Sequence, residues 1–188
     1  HWGSNFYINS PIVGTGRITV VGADYVRLDL NSAGSTFAGG FVQQSGCTAI
    51  ASGSVQEEGV IVKGPVGTGL LALRGGRLFA RDNIACTLHN PVLLAGNVVL
   101  GGDNGGTITF SEAAGATWDL SAADGATAHT LTADSPVVIG RTVGESGGGS
   151  GPALIKRGRA TVTLGGMSPN TFAGGLTIAD GTLVAAKD

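Results

Sequence analysis

Short hydrophobic runs of three to six residues, separated by glycine and small polar residues, recur along the whole chain. Many runs alternate between apolar and polar positions with a period of two, as in Val26–Leu30 and Ile108–Phe110. This alternation is typical of a β-strand with one buried face. No apolar stripe with helical spacing continues for ten residues without an interrupting glycine. The pattern predicts an all-β chain of short strands with essentially no helix.

The motif Thr-Phe-Ala-Gly-Gly occurs twice, at Thr36–Gly40 and at Thr171–Gly175. The two phenylalanines are 135 residues apart (172 − 37), and the similarity continues on both sides of the motif. The repeated structural positions are Phe37, Gly39, Gly40 and Gly46 in the first copy and Phe172, Gly174, Gly175, Gly181 and Leu183 in the second. A repeat of this kind predicts a stacked, solenoid-like architecture. Because it repeats apolar and glycine positions instead of acids, bases or nucleophiles, we expect a protein that is not an enzyme.

The turn residues favour a solenoid over a sandwich or a barrel. Most predicted corners are single glycines or glycine pairs, such as Gly75–Gly76 and Gly165–Gly166. Such glycines suit the tight corners of a solenoid better than they suit the turns of antiparallel hairpins. With about 20–24 residues per coil, the 188 residues would make about eight or nine coils, stacked about 4.8 Å apart. We expect one β-solenoid over residues 1–188, with motif copies at about 16–51 and 152–186 and spacer coils over 52–151.

The second motif copy, Gly158–Leu183, has a glycine and a Thr-Val-Thr-Leu strand, then a loop ending at Asn170, Thr-Phe-Ala-Gly-Gly-Leu-Thr-Ile and Gly-Thr-Leu. This order is similar to the autotransporter-associated β-helix repeat. The first copy departs from that pattern, because Ser35 replaces the asparagine and Gly46–Thr48 replaces Gly-Thr-Leu. The resemblance implies a right-handed parallel β-helix in a large protein that is secreted or displayed on the bacterial cell surface. It implies a stalk, an adhesin or a structural fibre, and no activity.

Composition and charge restrict the partners. Glycine supplies 34 of 188 residues, and 42% hydrophobic content is enough for a continuous core. Charged residues make up 13% and the net charge is −2, without the basic stripe that nucleic-acid binding needs. No apolar stretch approaches the about 18 residues of a membrane span. The chain starts at His1, and its last predicted strand almost reaches the C-terminus. We therefore expect coils or copies to continue past both ends.

Two cysteines, Cys47 and Cys86, leave two alternatives open. They form one disulfide in an oxidising compartment, or they are two small buried hydrophobic residues. The number of strands between them places the two cysteines on different sides of the coil, whereas a disulfide requires Cα atoms about 4.4–6.8 Å apart. The spacing therefore favours two free thiols without deciding the question.

Three segments have the outline of catalytic or binding motifs. Ser146, within Gly-Glu-Ser-Gly-Gly, is followed by further glycines where a nucleophile elbow requires a helix. The segment 64–69 is similar to a phosphate-binding loop, but Leu70–Leu71 stands where Lys and Ser or Thr are needed. Asp103–Gly106 lacks the six to eight oxygen ligands of a calcium site and is expected to form a turn. We predict no catalytic residue, no cofactor and no metal.

The sequence therefore predicts an extracellular structural rod, a stalk or fibre module. Its partners would be adjacent repeats or identical subunits, paired through the coil ends at Asn5–Val13 and Ile178–Ala185. A self-polymerising filament subunit or an adhesin stays an alternative, and a surface glycan or a protein would bind at the loops 31–35 and 166–170. A polysaccharide-acting enzyme would need charged residues gathered on one face, and the sequence does not show this for Asp119, Asp124 and Asp134 or for Lys156, Arg157 and Arg159.

Overall fold

A computed structural model describes residues 3–111, 118–120, 125–145 and 151–186. Within these ranges the chain forms 21 strands of two to six residues and no helix, which confirms the all-β prediction. The strands are β1 (Asn5–Ile8), β2 (Ile18–Val20), β3 (Arg27–Leu30), β4 (Phe41–Gln43), β5 (Cys47–Ile50), β6 (Val55–Glu57), β7 (Val60–Lys63), β8 (Leu71–Leu73), β9 (Arg77–Ala80), β10 (Cys86–Leu88), β11 (Val92–Leu94), β12 (Val98–Leu100), β13 (Ile108–Phe110), β14 (Trp118–Leu120), β15 (Ala128–Ala133), β16 (Val137–Ile139), β17 (Val143–Gly144), β18 (Ala153–Arg157), β19 (Thr161–Leu164), β20 (Leu176–Ile178) and β21 (Thr182–Ala185).

Three parallel sheets form the faces of the molecule. The eight-stranded sheet has the order β1-β3-β5-β9-β12-β15-β18-β20, the six-stranded sheet β17-β14-β11-β8-β4-β2, and the five-stranded sheet β10-β13-β16-β19-β21. From β8 to β19 the chain visits the six-stranded, the eight-stranded and the five-stranded sheet in a fixed rotation. Each strand pairs with strands one coil before and after it, and this arrangement is a parallel β-solenoid, as predicted.

The number of coils is smaller than predicted. Eight strands in the longest sheet enclose about seven turns, not eight or nine. Arg27 pairs with Cys47 after 20 residues (47 − 27), which is the expected length. However, Cys47 pairs with Arg77 after 30 residues (77 − 47), and Val98 pairs with Leu131 after 33 (131 − 98). In the first of these long turns the antiparallel hairpin β6–β7 is inserted, so its residues lengthen one coil without adding another.

The core is a column of inward-facing side chains. In most three-residue strands the first and third residues are buried and the middle residue faces outward, as in β11, β12 and β13. Each coil thus stacks its apolar side chains on those of the coil beneath, and Phe110 and Trp118 meet edge to face with ring centroids 4.5 Å apart. Since each buried large side chain contributes about 1.5–3 kcal/mol, this stacking is the main source of stability.

A buried arginine joins three successive corners of the solenoid. Arg141 is fully buried and donates hydrogen bonds to the carbonyl oxygens of Leu88 (3.1 Å), Asn90 and Ser111. Leu88 is the last residue of β10, Asn90 follows that strand and Ser111 follows β13, and both strands lie below Arg141 in the stack. The Leu88 carbonyl oxygen also accepts a hydrogen bond from the Ser111 amide (3.1 Å). Buried backbone carbonyls without a partner are costly, so Arg141 matters most for the carbonyls of Asn90 and Ser111 at the corners.

Candidate functional site

The two Thr-Phe-Ala-Gly-Gly segments lie at corners of the solenoid, but not at the same corner. Thr36–Gly40 directly precedes β4 of the six-stranded sheet, whereas Thr171–Gly175 directly precedes β20 of the eight-stranded sheet. The second copy is therefore turned by one face relative to the first, and the 135-residue spacing is not a whole number of coils. The motif describes a local corner with its flanking strands.

The first glycine of each Gly-Gly pair lies against the preceding coil. A Cβ atom at Gly39 would lie 2.5 Å from the carbonyl oxygen of Thr15, and one at Gly174 would lie 2.3 Å from that of Gly151. These separations are shorter than any ordinary van der Waals contact, and the opposing atoms are backbone, which cannot move aside as a flexible side chain can. Glycine at these two positions therefore sets how closely successive coils approach.

The second glycine of each pair, and the later glycine of each copy, adopt left-handed backbone conformations. The φ angles are +90° at Gly40 and +85° at Gly175, then +73° at Gly46 and +69° at Gly181. Residues with a Cβ are strained in this region of φ, whereas glycine is not. Both copies thus turn the chain with the same backbone geometry, although they lie on different faces.

The aromatic residue of the motif is covered in one copy only. Phe37 is 1% exposed, and the next coil closes over it through a hydrogen bond from the Thr68 amide to the Phe37 carbonyl oxygen (3.0 Å). Phe172 and Leu183 are only partly buried, although both pack against the same core. The difference arises because the second copy forms the last coil in the described part of the chain.

That last coil leaves inward-facing apolar side chains uncovered. Leu176 and Ile178 of β20 are 38% and 52% exposed, although their ladder partners in β18, Leu154 and Lys156, are buried. Lys156 Nζ donates to the carbonyl oxygen of Asp180 (2.8 Å) and so holds the corner that leads into β21. This end of the solenoid is therefore ordered by hydrogen bonds but presents apolar surface to solvent.

The opposite end is open as well. Phe6 of β1 is 60% exposed, although it pairs with Leu28, which packs against the core. β1 and β20 are the two outer strands of the eight-stranded sheet, so one edge of each carries backbone N–H and C=O groups without a ladder partner. Both ends therefore combine a free strand edge with apolar side chains at core positions.

An open groove runs along the outer surface of the eight-stranded sheet. It has a volume of about 630 Å³, and its floor includes Cys47, an outward-facing residue of β5 that is 8% exposed. Larger side chains of β3 and β9, among them Arg27, Arg77 and Phe79, rise on either side of this small residue. The groove exists because β5 carries small outward-facing residues between two strands that carry large ones.

Arginine–aspartate pairs hold the walls of the groove. Asp29 of β3 has a fully buried side chain and accepts hydrogen bonds from Arg27 Nε (2.8 Å) and Arg81 Nη1 (3.2 Å). Arg77 Nη1 donates to the carboxylate of Asp134 (2.9 Å). A buried carboxylate is stable only when it is paired and hydrogen-bonded, so removal of either partner of Asp29 would disturb the wall. The arginines are thereby fixed in position.

Both cysteines are free and buried. Cys47 lies in β5 of the eight-stranded sheet and Cys86 in β10 of the five-stranded sheet, on different faces as the strand count indicated. Burial raises the pKa of the Cys86 thiol to about 11. Burial also raises the pKa of Cys47, although the nearby charges of Arg77 and Arg27 act in the opposite direction. Neither thiol is therefore prepared to act as a nucleophile.

The other segments considered from the sequence fall in several places. Ser146 and Asp124 lie outside the described residues. The segment 64–69 forms the connection between β7 and β8. Asp103 and Asn104 form a turn, with φ +56° at Asn104, on the rim of the groove. The part of the chain that the structure describes contains no group of three or more His, Cys, Asp or Glu placed to hold a metal ion. No helix long and apolar enough to cross a membrane occurs in that part.

The two loops considered as contact surfaces differ from each other. In the loop 31–35, Ser35 is buried and its hydroxyl accepts a hydrogen bond from the Ile12 amide (3.1 Å), so part of this loop is a packed corner. In the loop 166–170, Met167 is 78% exposed. Sequence reasoning did not find the groove. The sign of the groove in the sequence is the charged pair Arg27 and Asp29, which occupies the outward positions of an otherwise apolar strand.

Strand register and the corner glycines define the class of this protein as a parallel β-solenoid. Comparison of the chain with protein-family models, with curated proteins and with solved structures found no match. The link to the autotransporter-associated repeat therefore depends on the two motif copies alone.

Proposed function

We propose that the chain is a structural module of an extracellular β-solenoid rod, in which each open end pairs with a further coil. The observation that carries the proposal is the state of the two end coils, where apolar side chains at core positions are uncovered next to a free strand edge. Such an edge is a template for pairing with another strand. The resemblance of the motif copies favours a stalk or an adhesin on the bacterial cell surface.

The hydrogen-bond pattern of β20 supports pairing at its outer edge. The Leu154 amide donates to the carbonyl oxygen of Gly175 (2.9 Å), and the Ala179 amide donates to that of Lys156 (2.9 Å). In a parallel ladder alternate residues bond to each side, so the backbone groups of Leu176 and Ile178 face away from β18. These two residues supply the free edge as well as the uncovered apolar side chains.

The first coil has the features that such an edge requires in a partner. β1 runs parallel to its neighbour β3, its Ile8 packs against the core, and its Phe6 pairs with Leu28, which packs there as well. The ladder of the eight-stranded sheet carries the position of Phe6 through Leu28, Leu78 and Leu100 to that of Asp180 in the last coil. A second copy would therefore set Phe6 over Leu176 only after a shift of four residues (180 − 176). The next repeat of a longer chain needs no such shift, and the filament subunit stays the alternative.

The proposal is tested by sedimentation velocity and negative-stain imaging of the 188-residue chain over a concentration series. Fibres of uniform width that lengthen with concentration would identify a filament subunit. Short rods of about 34 Å, the length of seven turns at about 4.8 Å each, would identify a repeat module if they also aggregate through their ends.

The matched variants are Leu176→Lys with Ile178→Lys at the open end, and Val60→Lys on the inserted hairpin, where the side chain is 65% exposed. The end variant should abolish association because a charge at a core position prevents stacking, and the hairpin variant should leave association unchanged. A parent chain that stays monomeric at every concentration, with no gain in solubility from the end variant, would contradict the proposal.

A further inference from the structure

We propose that the groove on the eight-stranded sheet binds a linear, uncharged oligosaccharide along the axis of the solenoid. This inference does not depend on pairing of the coil ends. The groove includes residues of the first motif copy and extends into the spacer coils, so the motif pattern does not predict it.

The groove is long and follows the stacking direction. Its lining comes from six successive strands of the sheet or the turns after them, from Asn5 at β1 to Asp134 after β15. With neighbouring strands about 4.8 Å apart, five intervals give a length of about 24 Å. A volume of about 630 Å³ spread over that length is a narrow channel, open to solvent on its outer side. An extended polymer of several sugar units fits this shape, whereas a compact ligand would contact only part of it.

The charges of the groove do not favour an anionic ligand. The lining and the buried Asp29 together carry five carboxylates and three guanidinium groups. Each of the three arginines, Arg27, Arg77 and Arg81, is already paired with an aspartate. An anionic polymer would therefore meet a net negative surface. A metal ion is not favoured either, since the described residues offer no cluster of three suitable ligands.

The free polar groups suit hydroxyl groups. Asp24 and Asp103 make no hydrogen bond or ion pair with other described residues, so their carboxylates can accept hydrogen bonds from a ligand. The arginines that are paired with aspartates use only some of their five N–H donors in those pairs, and the remaining donors can bind hydroxyl oxygens. A sugar hydroxyl both donates and accepts, and it is therefore the group that a wall with mixed donors and acceptors recognises.

An aromatic side chain stands at one end of this polar wall. Tyr25 lines the groove and is 69% exposed, so one face of its ring is available to the ligand. The apolar C–H face of a sugar ring packs on such a surface while its hydroxyls remain hydrogen-bonded at the edge. Phe79 adds a second aromatic ring, but it is 7% exposed and mainly supports Arg27, whose guanidinium lies 5.8 Å from the ring centroid.

The walls are held in place before any ligand binds. The turns 81–84 and 102–106 form one rim, and the Asn83 amide donates to the carbonyl oxygen of Asn104 (2.8 Å) between them. Asp82, Asn83 and Asn104 adopt positive φ angles of 57°, 55° and 56°. In the described ranges, four residues other than glycine have positive φ, and three of them lie on this rim. A fixed groove lowers the entropic cost of binding a flexible chain.

The test is isothermal titration calorimetry with uncharged hexasaccharides of five backbones: cellulose, starch, mannan, xylan and galactan. An anionic hexagalacturonate and a cationic glucosamine hexamer serve as charged probes. At least one uncharged hexasaccharide should bind, more tightly than its own disaccharide because the groove spans several sugar units, and more tightly than both charged probes. Absence of binding by all five uncharged backbones would overturn the proposal, and so would tighter binding of a charged probe.

Two variants place the ligand in the groove. Tyr25→Ala removes the exposed ring, and Asp103→Asn replaces a carboxylate acceptor. Each should weaken binding by about tenfold, the effect of one good contact. Glu57→Gln makes the same charge change as Asp103→Asn on the exposed hairpin β6–β7 and should leave binding unchanged. Because Tyr25 and Asp103 make no core contact that folding requires, an unchanged thermal transition is expected. Equal affinities of all three variants and the parent would place the binding elsewhere and refute the inference.

Discussion

Substitution of Gly39 by alanine tests the idea that the motif glycines set the distance between coils. The added Cβ would lie 2.5 Å from both the Thr15 carbonyl oxygen and a backbone atom of Gly16. Relief requires the two coils to separate at a point where the Ala38 amide donates to the Gly14 carbonyl oxygen (3.0 Å). We therefore expect a large loss of stability from a single methyl group.

The magnitude follows from three contributions. Overpacking against fixed backbone costs about 1–3 kcal/mol, and a weakened ladder hydrogen bond costs about 1 kcal/mol. The reduced entropy of the unfolded chain returns about 0.4–1 kcal/mol. Together these give a loss of about 2 kcal/mol in the free energy of unfolding for Gly39→Ala. Gly175→Ala, where φ is +85° but no atom lies within 4 Å of the new Cβ, should cost about 1 kcal/mol from backbone strain alone.

The assay is urea unfolding followed by far-ultraviolet circular dichroism, with Gly16→Ala as the control. Gly16 has ordinary φ and no atom within 4 Å of the added Cβ, so this change should be neutral or slightly stabilising. The slope of each transition must be compared, since a solenoid can lose an end coil separately. A Gly39→Ala protein within about 0.5 kcal/mol of the parent, well below the overpacking cost, would refute the close-approach argument.

Two further predictions concern Arg141 and its neighbour His89. Arg141→Met should lower the free energy of unfolding by about 3 kcal/mol, because the carbonyl oxygens of Asn90 and Ser111 lose a donor, whereas that of Leu88 keeps the Ser111 amide. Urea unfolding measures this. Burial first, and the charge of Arg141 second, lower the pKa of His89 below its usual 6.5. The unfolded chain therefore binds a proton that the folded chain does not, so stability should fall as the pH decreases through about 6.5. Urea unfolding between about pH 5 and 8 measures this dependence, because that range spans the usual pKa of histidine.

Each of these predictions has its own control. Arg157→Met changes an exposed arginine of β18 and should leave stability within about 0.5 kcal/mol of the parent. His89→Gln should flatten the pH dependence near 6.5, because glutamine does not titrate there. A pH profile that is identical in His89→Gln and in the parent would show that the histidine does not contribute.

The strands could be predicted because burial on one side forces alternation along a strand. Val26–Leu30 contains β3, and Ile108–Phe110 coincides with β13. The number of coils could not be predicted from the average repeat length, since two coils carry insertions. One insertion is visible only in the structure: Glu58 and Gly59, between β6 and β7, have φ angles of 49° and 82°, as a two-residue hairpin turn requires.

The groove could not be predicted for a related reason. Arg27, Arg77 and Arg81 are separated by up to 54 residues (81 − 27), and only the lengths of the intervening coils bring them together. An error of one residue in any coil would turn an outward side chain inward. The buried Asp29 of β3 pairs with Arg27 in its own strand and with Arg81, which follows β9. The position of Arg81 depends on the length of the coil that contains the hairpin β6–β7, and the repeat pattern does not describe that hairpin.

The different positions of the two motif copies follow from what a corner requires. Every corner must admit the backbone of the preceding coil and must turn the chain sharply, and neither requirement depends on the face that follows. Gly39 and Gly174 meet the first requirement, and Gly40 and Gly175 meet the second, although the copies lead into different sheets. The distance between motif copies in this solenoid is therefore set by where such corners occur, and it does not have to equal a whole number of coils. Gly174→Ala should consequently cost about as much as Gly39→Ala, since in each case the contact joins an end coil of the described chain to its neighbour.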